Sequence, residues 1–168
     1  MKKYLLLIII LLFSIATYAQ KVNGAFGLET AHLWRGFEIS NGLTLTGDMS
    51  YSFNKNIKVG LWGGRQIDGQ YREFDYYAAY NTCGLTLSLW DIYNYSGHEG
   101  DKWADIFNYD QYTTGHFIDL GAAYDFGSKC NFPLVLSWNT IVLGRDMDGK
   151  TRQFSTFVKA ASKSMKMT

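Results

Sequence analysis

Leu43-Thr44-Leu45-Thr46-Gly47-Asp48-Met49-Ser50-Tyr51-Ser52-Phe53 alternates without exception. The odd positions hold Leu, Leu, Gly, Met, Tyr and Phe, and the even ones Thr, Thr, Asp, Ser and Ser. Successive side chains of a strand point to opposite faces, so this stretch is greasy on one side and polar on the other. Asn54-Lys55-Asn56 follows as a tight turn, and Ile57, Val59 and Leu61 begin a second alternation. Outward from there the period of two recurs. Phe74, Tyr76, Ala78 and Tyr80 stand against Glu73, Asp75 and Tyr77 over residues 72–80, and Leu85, Leu87 and Leu89 against Thr86 and Ser88. Ile118, Leu120, Ala122, Tyr124 and Phe126 oppose Asp119, Gly121, Ala123 and Asp125, and Leu134, Leu136 and Trp138 oppose Val135, Ser137 and Asn139. A first strand over about residues 22–34 and a last over about 151–161 bring the total to eight. In the last, Phe154 and Val158 share one parity while Phe157 has the other.

Composition agrees with an all-β chain. Among 168 residues there are 12 Tyr, 11 Phe, 5 Trp and 17 Gly, with one Pro and 18% charged side chains. A disordered chain carries more charge and fewer aromatics. A net charge of +1 gives no basic excess for nucleic acid, so no nucleic-acid partner is expected. Residues 1–19 read as a signal peptide: Lys2 and Lys3 precede an unbroken apolar run over 5–13, and Thr17-Tyr18-Ala19 supplies a small-x-small cleavage pattern. That apolar run is shorter than the roughly 20 residues of a membrane anchor. Removing the peptide leaves 14 basic and 15 acidic side chains, a net of −1. The mature domain, 20–168, is therefore expected outside the cytoplasm.

The connections alternate in length. Short turns fall at 53–56, 81–84 and 127–132, and longer links at 36–42, 65–70, 95–115 and 144–150. Transmembrane barrels have one rim of short turns and one of long loops, and strands of about nine to eleven residues cross a bilayer at a tilt. Tyr51, Phe53, Tyr80, Tyr124 and Phe126 sit beside the short turns, where an aromatic girdle would lie. A soluble sandwich or lipocalin-like barrel also alternates, but its polar face carries many Lys and Glu. Here that face is mostly Thr, Ser, Gly, Asn and scattered Asp. The fold expected is an antiparallel up-and-down transmembrane β-barrel with about eight strands present.

Three stretches carry a resemblance. His32-Leu33-Trp34-Arg35-Gly36-Phe37 is followed by Gly60-Leu61-Trp62-Gly63-Gly64 and by Glu73-Phe74-Asp75-Tyr76-Tyr77-Ala78-Ala79-Tyr80. Their order resembles the TorF-type family of outer-membrane porins, and residues 115–121 and 132–138 are similar to its later strands. The resemblance covers roughly residues 24–160. It implies an outer-membrane barrel with a pore role, lipid and lipopolysaccharide as surroundings and the barrel-assembly machinery as a partner during insertion. It implies no cofactor and supplies no catalytic residue. Members of that family continue for further strands and end on an aromatic residue, whereas this chain stops at Lys163-Ser164-Met165-Lys166-Met167-Thr168. A truncated barrel, an internally shortened one and a closed eight-stranded one all stay open at this point.

The inward polar set expected from parity is Glu29, Asp48, Lys58, Glu73, Asp75, Asp119 and Asp125, with Arg35 at the rim. These groups could line a cation-leaning path, or pair with one another and plug a lumen that eight strands leave only just wide enough for its own side chains. Trp62 and Trp90 are expected to fill space there. Arg35 could grip a lipopolysaccharide phosphate, though an ion pair with a neighbouring strand is the commoner outcome. His98-Glu99-Gly100-Asp101 with Asp105 has no second His at ligand spacing, and reads as a solvated loop without a metal. Asp146-Met147-Asp148-Gly149 resembles the start of a calcium loop, but Phe157 stands where the twelfth-position glutamate belongs. His32, His116, Ser40 and Asp110 are the candidates for enzyme chemistry, and nothing in their spacing fixes a triad, so no catalytic activity is expected. Cys83 and Cys130 fall in turns a full hairpin apart, too far for a disulfide.

Overall fold

The computed structural model describes residues 21–96, 105–130, 132–144 and 154–162. Strand β1 covers Val22–Glu29, and β2, His32–Trp34, pairs with β3, Phe37–Ser40. Then come β4 (Thr44–Ser52), β5 (Ile57–Gln66), β6 (Arg72–Thr82), β7 (Leu85–Asn94), β8 (His116–Asp125), β9 (Leu134–Gly144) and β10 (Thr156–Ser162). The one helix among the described residues is a single turn, α1, at Gly127–Cys130. Eight strands form one antiparallel sheet in the order β1-β4-β5-β6-β7-β8-β9-β10, each beside the next in the chain except that the β2–β3 hairpin intervenes between β1 and β4. Among the described residues β1 and β10 are not paired with each other, so the sheet has two edges.

The register puts like beside like. Met49 faces Leu61, Leu61 faces Tyr76, Leu89 faces Leu120 and Trp138 faces Val158, so the greasy parities of all eight strands form one continuous face. On the other face Asp48 lies opposite Trp62, Trp62 opposite Asp75, and Trp90 opposite Asp119. A one-residue slip would exchange the faces of a whole strand, and that is what fixes the pairing. The two faces are used in an unusual sense. The apolar one is bare: Phe26 is 97% exposed, Leu28 63%, Met49 57% and Val158 67%. The buried residues are largely polar, with Ser50, Gln66, Asp75, Asp119 and Thr140 among them.

Two short connections are two-residue turns with both central residues in the left-handed region. Cys83 (φ 47°) and Gly84 (φ 86°) join β6 to β7, and Arg35 (φ 51°) and Gly36 (φ 83°) join β2 to β3. This is the backbone of the type I′ hairpin turn, whose twist matches that of the strands it joins. The second turn changes the expected first strand. Instead of one strand over 22–34, the chain breaks after Glu29, and residues 32–40 close on themselves as a small hairpin. Local closure at Arg35-Gly36 satisfies these backbone groups without the main sheet. The last strand is also clearer than its parity suggested. Phe154 precedes β10 in a left-handed conformation (φ 67°), so only Phe157 and Val158 belong to its alternation.

Candidate functional site

The polar face and the β2–β3 hairpin enclose a cavity of about 300 Å³. Its walls are Trp34 and Arg35 from the hairpin, Trp62 of β5, Glu73 and Asp75 of β6, Trp90 of β7, Asp119 of β8, Asn139 of β9, and Phe157 and Lys159 of β10. Six consecutive strands thus converge on one space, which requires the sheet to curl around it. Asp119 is the fourth residue of β8, about 10 Å in from the end that joins the long 95–115 link. The hairpin tip therefore dips into the concave side of the sheet.

Arg35 marks its reach. Its Nη2 lies 2.7 Å from Asp119 Oδ1, and Nη1 donates to the Ser155 carbonyl at 3.4 Å, just before β10. Both side chains of the ion pair are nearly buried, at 8% and 6% exposure. Although close, the pair lacks hydrogen-bond alignment at Nη2 and Oδ1. It is a charge contact more than a directed bond. The Arg35 guanidinium also rests over the Trp34 ring, 4.5 Å from its centroid. The expected rim ion pair with a neighbouring strand is instead an interior one, spanning from the first link of the chain to the far side of the sheet.

The other expected inward residues are distributed among four places. Glu73 and Asp75 line the cavity with Asp119. Glu73 accepts from Asn94 Nδ2 at 2.9 Å, and Asp75 from the Tyr93 amide at 3.3 Å. Further along the same face, Asp48 accepts from Tyr77 Oη at 2.9 Å, while Lys58 Nζ sits 5.2 Å from the centre of the Tyr77 ring. That ring stacks on Trp90 at 4.3 Å and lies over Gly60, where any side chain would collide with it. Glu29 holds His32 at 2.9 Å, and Asp125 caps the turn to α1 by accepting from the Gly127 amide at 3.0 Å. His32 lies against Trp62 and Tyr71, and burial together with the Glu73 charge pushes the Tyr71 phenol above its usual range.

A second cluster lies on the opposite face. Asp91 and His116 share the greasy parity of β7 and β8, at the long-link end. The loop over 105–114 folds across them. His116 is fully buried, stacked between Tyr93 at 4.5 Å and Tyr109 at 4.2 Å. Its Nδ1 stands 2.6 Å from Asp91 Oδ1, and its Nε2 carries the hydrogen donated to the Ile106 carbonyl at 3.0 Å. Tyr109 Oη donates to Asp91 Oδ2 at 2.6 Å. Partial burial, then this carboxylate, hold the Tyr109 phenol up at about 12. Inside the loop, Thr114 Oγ1 bonds the Asn108 carbonyl, and Asp110 Oδ1 accepts from the Tyr112 and Thr113 amides. Every acceptor and donor of the cluster is engaged, so it fastens the loop. Sequence reasoning missed this cluster. The available signal was a His and an Asp at the greasy parity of adjacent strands.

The residues considered for enzyme chemistry are dispersed. Ser40 Oγ bonds Gln66 Oε1 at 2.5 Å and Thr44 Oγ1 at 2.8 Å, Asp110 caps a loop turn, and both His116 nitrogens are occupied. Asp105 caps the turn at Phe107, and no cluster of metal-binding side chains occurs among the described residues. Residues 98–101 and 146–149, like residues 1–19, where the signal peptide is expected, and the final 163–168, lie outside the described residues. Cys83 is an exposed free thiol at its turn, and the Cys130 side chain is not among those described. No protein-family model, curated protein or solved structure matches the chain.

Proposed function

We propose that this chain is an outer-membrane β-barrel of the TorF-type porin kind, exported by a cleaved signal peptide, through which small polar solutes diffuse passively. One observation carries the reading: the continuous apolar face of the sheet is exposed while its polar face is buried around a cavity. In water such an apolar surface far exceeds what a monomeric protein leaves bare, and a hydrocarbon solvent removes the penalty. The dimensions suit a bilayer. The 11 residues of β6, tilted about 40°, rise about 28 Å. Aromatics band the bare face near the short turns, where Tyr51 packs on Phe53 and Tyr124 on Phe126, both pairs edge-on at 4.9 Å. Closure of β1 onto β10 completes the barrel in this reading, and the Arg35–Ser155 contact, from the hairpin that follows β1 to the residue before β10, supports it.

A second reading, a non-conducting barrel that acts through its outer loops, is favoured by the hairpin lodged in the cavity. Heat-modifiable gel mobility of the chain taken from outer membranes tests closure, and planar-bilayer recording tests conduction. A shift on boiling with steady unitary currents supports the porin, and a shift without currents supports the plugged barrel. Release of the chain by carbonate washing would instead mean a soluble β-domain and overturn both.

A further inference from the structure

We propose that Arg35 is a latch which holds the β2–β3 hairpin across the cavity, and that its release opens an acidic path for small cations; this rests on the porin reading. The hairpin has its own two-residue turn, and its base is anchored by two chain connections, Thr30-Ala31 and residues 41–43, by Ser40 on Gln66 and by His32 against Trp62. Its tip is held to the far wall by Arg35, through Asp119 on β8 and the Ser155 carbonyl before β10. Three features of the contact suit release. Arg35 occupies a left-handed conformation (φ 51°), which costs a non-glycine residue free energy that the contact must offset. The ion pair is nearly dry yet not aligned for hydrogen bonding, so it regains only part of what desolvating two charges costs. The guanidinium lies on Trp34 of the same hairpin, and that partner travels with it.

Charge gives the opened state its selectivity. With Arg35 withdrawn, Glu73, Asp75 and Asp119 face Lys159 alone among the cationic chains of strands β4 to β10 lining the cavity. An excess of carboxylates in a narrow, low-dielectric passage favours cations over anions.

Two measurements test the latch. Trypsin cuts after Arg35 only when the tip leaves the cavity. In folded protein, Asp119→Asn should release the fragment ending at Arg35 at least about tenfold faster than wild type, since it removes the charge that anchors the guanidinium. Equal rates, with both proteins keeping the mobility shift on boiling, would overturn the proposal. Should Asp119→Asn fail to fold, Arg35→Gln in planar bilayers decides: unitary conductance should rise at least about twofold, with the reversal potential moved toward the cation equilibrium value. Wild-type currents and reversal potential in Arg35→Gln would contradict it. Absence of current from every variant would remove the pore reading, while the cleavage contrast would still judge the latch.

Discussion

Two long links leave the same end of the sheet and are fastened in opposite ways. The first, carrying β2 and β3, turns inward and ends on Arg35 against Asp119. The third folds outward, and its residues 105–114 cover Asp91 and His116 on the apolar face. The outer fastening is saturated: carboxylate, imidazole, phenol and backbone carbonyl all have aligned partners, and two tyrosine rings sandwich the imidazole. The tip of the inner one is held by an ion pair without hydrogen-bond alignment at Nη2 and Oδ1 and by one long bond, 3.4 Å, to the Ser155 carbonyl. A buried polar network rigidifies when it is fully satisfied and yields when it is not. The outer link is therefore a fixed collar, and the inner link is the part that moves.

Substitutions can break that contrast. The largest loss is expected for His116→Ala, which empties the space between two tyrosine rings, removes the bonds to Asp91 and Ile106 and should cost about 4 kcal/mol of unfolding free energy. Urea titration of the detergent-folded protein, read by gel mobility, measures it. Leu89→Arg probes the uncovered part of the same face near its middle, at about 3 kcal/mol, if that surface lies in hydrocarbon. The same change would be almost free on a surface bathed in water, and the titration separates the two. Arg35→Gln should cost about 2 kcal/mol, clearly less than His116→Ala, because the inner pair is imperfectly aligned. Equal costs would remove the distinction between collar and moving part.

The smallest effect is expected at Tyr109→Phe, which removes one hydrogen bond to Asp91 and about 1 kcal/mol. It carries a pH signature. The phenol is held up at about 12 from an ordinary 10.0, so the folded loop keeps its proton longer than the unfolded one. The stability from this hydroxyl is fully present below pH 10 and is lost as pH climbs through about 12. The excess unfolding free energy of wild type over Tyr109→Phe, read by urea titration at successive pH values, should shrink over that interval, and a constant difference would contradict it.

The wall of the molecule was legible from residue types because a period of two commits each side chain to a face, as residues 43–53 show most plainly. The same parity put Glu73, Asp75 and Asp119 on the polar face that lines the cavity, but not Trp34 and Arg35, which enter it from the hairpin. What escaped lay where the period stops. Arg35-Gly36 read as the end of a strand, although a residue followed by glycine between Trp34 and Phe37 is also a hairpin signal. A β-bulge leaves Val142 without a partner opposite Ile118 and Asp119, shifting the parity of the end of β9. The Asp91–His116 contact joins residues 25 apart through a loop whose course no periodicity encodes.

Lipid covers the apolar face in the porin reading, and depth-resolved quenching along the strands reads that coverage position by position. Single cysteines in a Cys83→Ser, Cys130→Ser background would carry a fluorophore at Leu45, Met49, Leu87 and Leu120, and at the alternating partners Thr46, Ser50, Ser88 and Gly121. In vesicles containing brominated lipid, the first four should be quenched and the second four spared. Uniform labelling and quenching along each strand, or no quenching at any position, would mean that lipid does not cover that face.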